Sequence, residues 1–135
     1  MAFYALGVKP LITELASIVD PSACKQIWYA DDSTTAGKLD EIKKWWNFLC
    51  VRGPQYGYHS EPSKTVLIVK EDCVVMAKQM FKGCGIQVTS KGEHHLGAVL
   101  GTEEFRKSYV KDKVEKWVQD VEQLSEIGKD DPQAA

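Results

Sequence analysis

The stretch from Gln26 to Gly37, QIWYADDSTTAG, restricts the possible folds of this chain more than any other. An apolar run, Gln26-Ile27-Trp28-Tyr29, meets two adjacent carboxylates, Asp31 and Asp32, and then a short run rich in Ser and Thr. Along a regular strand neighbouring side chains point to opposite faces, so two adjacent aspartates cannot serve one ligand. A tight turn breaks that alternation, and the pattern predicts strand, turn and strand with both carboxylates at the tip. Like charges held that close repel one another or are balanced by a cation. A hard ion such as Mg²⁺, bound by one or two carboxylates plus substrate phosphates, suits the pair. A solvated hairpin turn suits it as well, because Asp is a common turn residue.

The rest of the chain can support such a hairpin on an ordinary core. At 135 residues, 44% hydrophobic and 27% charged, it has the size and balance of one globular domain. No apolar run is long enough to span a bilayer, which predicts no membrane partner. The apolar N-terminus is interrupted by Lys9-Pro10 and follows no basic segment, a poor fit to a signal peptide. The expected location is therefore intracellular. Cys24, Cys50, Cys73 and Cys84 are widely spaced with no Cys-x-x-Cys pair, so reduced thiols are expected rather than a disulfide framework or zinc site. Residues 1–70 carry 8 Lys/Arg against 7 Asp/Glu, and residues 71–135 carry 9 against 12. Neither half has the basic footprint of a free-standing nucleic-acid binder.

Along the chain the patterns alternate. Phe3, Leu6, Leu11, Ile12, Leu15 and Ile18 predict an opening helix that Pro10 should kink or split, with Glu14 facing out. Asp20-Pro21-Ser22 ends it. Leu39, Ile42, Trp46 and Leu49 fall on one stripe of a helix from Lys38 to about Arg52, widened by Trp45 and Phe48 and stopped by Gly53-Pro54. Lys64 to Val69 reads as a strand, and Glu71 to about Lys82 as a helix closed by Gly83 and Gly85. Ile86–Thr89 and Glu93–Leu100 predict two strands around a Ser90-Lys91-Gly92 turn. In the last helix Val110, Val114, Trp117, Val121 and Leu124 are spaced four, three, four and three, with Thr102 as N-cap. A polar tail from Gly128 should fray, and Trp46 and Trp117 are expected in the core. The order predicts an α+β fold, helices packed on a small antiparallel sheet in the manner of a ferredoxin-like split βαβ unit.

Tyr29-Ala30-Asp31-Asp32 has the Tyr-x-Asp-Asp form found in reverse transcriptases. The segments that follow resemble that family in order: a helix with an aromatic pair, Trp45-Trp46; a loop and Lys-Thr strand, Gly57 to Thr65; a Leu-Gly hairpin, His94 to Gly101; and a Val/Trp/Leu helix like the start of a thumb. In the family's vocabulary these are motifs C, D and E, and the wording is most similar to non-LTR retrotransposon enzymes. The resemblance covers essentially the whole chain. It implies a partial palm over residues 1–101 and the start of a thumb over 102–135.

What it implies chemically is an RNA-directed DNA polymerase, a nucleotidyltransferase that adds deoxynucleotides to a primer on an RNA or DNA template. The family holds two Mg²⁺ ions about 3.5–4 Å apart for this reaction. The resemblance assigns metal binding and catalysis to Asp31 and Asp32, proton donation to the leaving pyrophosphate to Lys64, and primer or nucleotide contacts to Tyr29, Leu96 and Gly97. The implied partners are template–primer nucleic acid, a deoxynucleotide, and the N-terminal palm and fingers segments. The aspartate of motif A and the glycine-containing motif B have no counterpart here, since Asp20 lies in a Pro turn. The expectation is a fragment with weak Mg²⁺ affinity and no activity alone. The alternative is a non-catalytic α+β remnant or interaction module. His94-His95 lacks a ligand at zinc spacing, and adjacent strand residues face opposite ways.

Overall fold

A computed structural model of the chain describes residues 2–95 and 97–130. The fold is mixed α+β, with small antiparallel hairpins and a long C-terminal helix. Helix α1 (Ala2–Ile18) leads into strands β1 (Cys24–Tyr29) and β2 (Asp32–Gly37), then helix α2 (Leu39–Arg52). Short 3-10 turns at Gly53–Tyr56 and Pro62–Lys64 precede β3 (Val66–Ile68). A third 3-10 turn, Glu71–Cys73, opens α3 (Val74–Met80), and β4 (Gln87–Thr89), β5 (Gly92–His95), β6 (Ala98–Gly101) and α4 (Glu103–Asp130) follow. The chain divides into two compact units, Met1–Thr65 with Val75–Gln87, and Val66–Val74 with Val88–Ala135.

In the first unit α1 runs unbroken through Pro10. Its buried stripe is Val8, Leu11 and Leu15, continued by Val19 just past its end. Leu11 and Leu15 belong to the pattern the sequence predicts; Leu6, also in that pattern, is exposed. From α2 the core receives Trp45, Trp46 and Leu49, and Ala77 and Phe81 complete it. On the inner face of the β1–β2 hairpin one residue, Gln26, bonds to both helices. Its amide nitrogen donates to the Ile12 carbonyl at 2.9 Å, and its amide oxygen accepts from the indole N–H groups of Trp28 (3.0 Å) and Trp45 (2.9 Å).

Two further polar clusters fasten α1 to α2. Arg52 donates from Nε and Nη2 to the two carboxylate oxygens of Glu14, each at 3.0 Å, and the Tyr56 hydroxyl donates to Glu14 at 2.5 Å. Glu14 is thus half-buried and bonded, not facing solvent as its position in the sequence suggested. Glu41, a buried acid, accepts from the Asp20 backbone N–H at 2.9 Å and from Lys44 at 2.5 Å. This ties the turn after α1 to the first turn of α2. α2 ends at Arg52 as expected, with Gly53 as its C-cap, but the cap is right-handed and a 3-10 turn follows. A side chain at Gly53 would strike the Tyr58 carbonyl, which would lie 2.6 Å from its Cβ. The left-handed stop is Gly57, φ 75.

In the second unit β4 pairs with β3, the Val69 N–H donating to the Thr89 carbonyl at 2.9 Å. It forms no hairpin with β5, contrary to the turn predicted at residues 90–92, and the described strands form three separate two-stranded ladders. β5 and β6 pair antiparallel from Gly92↔Gly101 to His95↔Ala98. At the base of that hairpin two glycine backbones nearly touch: a Cβ on Gly101 would lie 2.4 Å from the Gly92 Cα. Thr102 caps α4, its hydroxyl accepting from the Phe105 N–H at 3.3 Å, and its own N–H donates to the Lys91 carbonyl at 2.8 Å. The helix continues past Gly128 to Asp130, further than its composition predicts.

Removing the Gln26 amide takes the acceptor from two indole donors, while the Ile12 carbonyl, inside α1, keeps its helical partner. Replacing Gln26 by Met is expected to cost about 2–3 kcal/mol in chemical denaturation. A second expectation concerns acid. The Tyr56 hydroxyl and then the Arg52 guanidinium hold the Glu14 carboxyl below its ordinary value; the Lys44 ammonium and the Asp20 N–H do so for Glu41; Ser22 does so for Asp20. Carboxylates lowered in the folded state stabilise it fully above their unfolded values near pH 4, and that contribution is lost as pH falls through the folded values. Denaturation midpoints should therefore decline from about pH 5 downward. Glu14→Gln should be less stable at neutral pH and decline less steeply.

Candidate functional site

The β1–β2 ladder is in continuous register from Cys24↔Gly37 to Tyr29↔Asp32, leaving Ala30 and Asp31 as a two-residue turn. The turn forms where the sequence pattern places it. Two-residue hairpin turns need left-handed backbone, normally supplied by Gly or Asn. Here Ala30 supplies it at φ 52, the only non-glycine with positive φ among the described residues. For a residue with a Cβ this conformation costs about 1–2 kcal/mol.

Alternation along β1 sends Cys24, Gln26 and Trp28 inward and Lys25, Ile27 and Tyr29 outward. Cross-strand pairing puts Asp32 beside Tyr29 on the outward face. Tyr29 is 67% and Ile27 69% exposed. Asp31 and Asp32 are exposed at the tip, and neither bonds through its side chain to any described residue. The inner face behind them is well fixed. Ser33 and the Tyr58 hydroxyl lie 2.8 Å apart, the Tyr58 ring meets Trp28 edge-on at 5.2 Å, and Trp28 meets Trp45 at 6.2 Å. Cys24 Sγ lies 3.1 Å from Thr35 Oγ1. The aspartates are thus carried on a hairpin whose back is anchored and whose tip is open to solvent.

Lys64 belongs to the same unit but lies on a 3-10 turn, not at a strand start. Glu61 organises that turn: its carbonyl accepts from the Lys64 N–H at 3.1 Å and the Thr65 hydroxyl at 2.9 Å. The Lys64 ammonium is exposed and forms no ion pair with Asp31 or Asp32. Gly97 belongs to the second unit, in the turn between β5 and β6 at φ 77. Nothing lies within 4 Å of a Cβ built there, so backbone conformation and not space favours glycine. Leu96 lies outside the described residues. His94 packs on aromatic rings, 4.4 Å from Tyr109 and 5.9 Å from Phe105. No group of three or more His, Cys, Asp or Glu with metal-holding geometry occurs among the described residues.

Gln26 and Tyr58, which support the hairpin from behind, were not singled out by the sequence. Their partners lie 14 to 25 residues away, at Ile12, Trp45 and Ser33, and no local pattern marks such bonds. If the left-handed turn is a steric burden alone, Ala30→Gly relieves it. That variant should gain up to about 1 kcal/mol in urea denaturation without changing the hairpin's amide shifts beyond the turn. No family model matches this chain, and no curated protein or solved structure is found to match it.

Proposed function

We propose that the Asp31–Asp32 hairpin is the metal-holding hairpin of a reverse-transcriptase palm, from an enzyme of the non-LTR retrotransposon type. The observation that carries this reading is the placement of Tyr29-Ala30-Asp31-Asp32 across a two-residue turn. There, adjacent carboxylates escape the strand alternation that would otherwise separate them. The order of the Lys64 loop, the Gly97 turn and the long final helix along the chain supports it further.

On this reading Asp31 and Asp32 present carboxylate oxygens to Mg²⁺, and both are open to receive it. Bound Mg²⁺ would assist deprotonation of a primer 3′-hydroxyl and offset charge on a departing pyrophosphate. Tyr29 offers an exposed ring beside Asp32 for the primer end. Lys64 carries an exposed ammonium suited to donate a proton to pyrophosphate. The turn at Gly97 would bring backbone close to the primer, where a side chain would obstruct it. No third acid joins the pair among the described residues. The proposal therefore includes weak Mg²⁺ binding, and polymerisation only together with palm and fingers segments that supply the missing carboxylate and the template contacts.

The exposed Ile27 and Tyr29 also suit a second reading, an α+β interaction module without chemistry. Mg²⁺ titration followed by backbone amide NMR separates the two. The polymerase reading expects shifts confined to residues 29–33, saturating in the millimolar range and abolished in Asp31→Asn/Asp32→Asn. An unresponsive hairpin leaves only the interaction module. Primer extension on an RNA template with Mg²⁺ should give no incorporation from these 135 residues alone. Template-dependent incorporation lost in Asp31→Ala would refute the incomplete-site part of the proposal.

A further inference from the structure

Helix α4 is 28 residues long, and nearly all of it is exposed. Its apolar side chains nonetheless form one continuous seam. Val110, Val114, Trp117, Val121 and Leu124 recur at four, three, four and three residues, and each is between 46% and 64% exposed. A repeat averaging 3.5 residues is the period of a two-helix coiled coil, not of a helix lying on a globular core. With Val114 and Val121 at the a positions and Val110, Trp117 and Leu124 at d, every a and d position from 110 to 124 is apolar.

The flanking charges select both the partner and its direction. In a parallel, in-register pair Arg106 would face Lys111 of the second copy, and no opposite charges would meet across the seam. In an antiparallel pair centred between Glu115 and Lys116, Val110 layers with Val121 and Val114 with Trp117. The same register brings Lys113 of each copy alongside Asp120 of the other, twice by symmetry. Shifting by one heptad would set Asp120 against Asp120. Within its own chain Asp120 has no bonded partner among the described residues, and Lys113 meets only the Tyr109 ring, at 5.7 Å. The end of the second helix would follow the open groove between β6 and α4, where Val99 extends the apolar surface of Val110 and Val114.

We propose that α4 is a homodimerisation element, pairing with α4 of a second copy as a short antiparallel coiled coil. Closing the seam would remove on the order of 1,000 Å² of surface from water, near the lower bound for a specific interface. A reversible dimer of micromolar class is expected. This inference is independent of any metal or nucleotide at the hairpin.

Sedimentation equilibrium of the whole chain over a concentration series tests it. The expected mass rises from 15.1 kDa towards twice that value. Val114→Asp should weaken association by about 100-fold while circular dichroism shows its helix content retained at the concentrations used. Asp120→Lys should weaken it by about 10-fold, and Lys113→Asp/Asp120→Lys should restore it to within about threefold. A monomer at every concentration, or a dimer indifferent to Val114→Asp, overturns the proposal. A dimer sensitive to Val114→Asp whose charge swap brings no rescue overturns the antiparallel register.

Discussion

The Gln26 amide is the interaction on which the hairpin-bearing unit depends. It is a polar group between two helices and a two-stranded ladder, and it satisfies three partners from three elements. An isolated two-stranded hairpin is marginal in water. This one gains a fixed position because its inner strand face is bonded to the α1 backbone and to an α2 indole. The aromatic contacts among Trp28, Trp45 and Tyr58 then close around the same point. A half-buried amide bonded to three partners specifies one arrangement more sharply than an apolar residue would, since any slip of register strands several donors.

The polar links between α1 and α2 act at the two ends of that arrangement. Glu14 with Arg52 and Tyr56 lies beyond the helix midpoints, and Glu41 with Asp20 lies at the turn. An Arg fork on a carboxylate and a buried acid receiving a backbone N–H are both directional, so together they restrict sliding of one helix along the other. The tip of the hairpin is free of such constraint. The unit therefore combines a bonded rear with two carboxylates that no described residue pairs with.

Much of this was legible in the sequence where the signal is local. Thr102 before an acidic first turn marked the start of α4, and the YADD pattern marked a turn that forms two residues wide. What escaped depended on partners distant in the chain. Periodicity finds an apolar face but not what covers it, so Trp117 was expected in a core and is instead 61% exposed. The same limit grouped the exposed Leu6 with the buried Leu11 and Leu15 in α1. Turn chemistry at residues 90–92 suggested a hairpin, while the β4 backbone found its ladder with β3. Pro10 reads as a breaker, yet α1 continues through it. Its ring removes one donor and crowds the carbonyl four residues back, a cost offset by the buried face of the helix.

The paired glycines at the base of the β5–β6 hairpin have a mechanical consequence. With no side chains between them, the Gly92 and Gly101 backbones meet directly, and the Thr102 N–H is bonded back to Lys91. The root of α4 is thus a backbone-to-backbone joint without a compressible side-chain layer. At 1.5 Å per residue the helix extends about 42 Å from that joint. A rotation of about 10° at Thr102 would carry the far end through roughly 7 Å on that length. Any change of angle at the base of the β5–β6 hairpin would be multiplied along the helix.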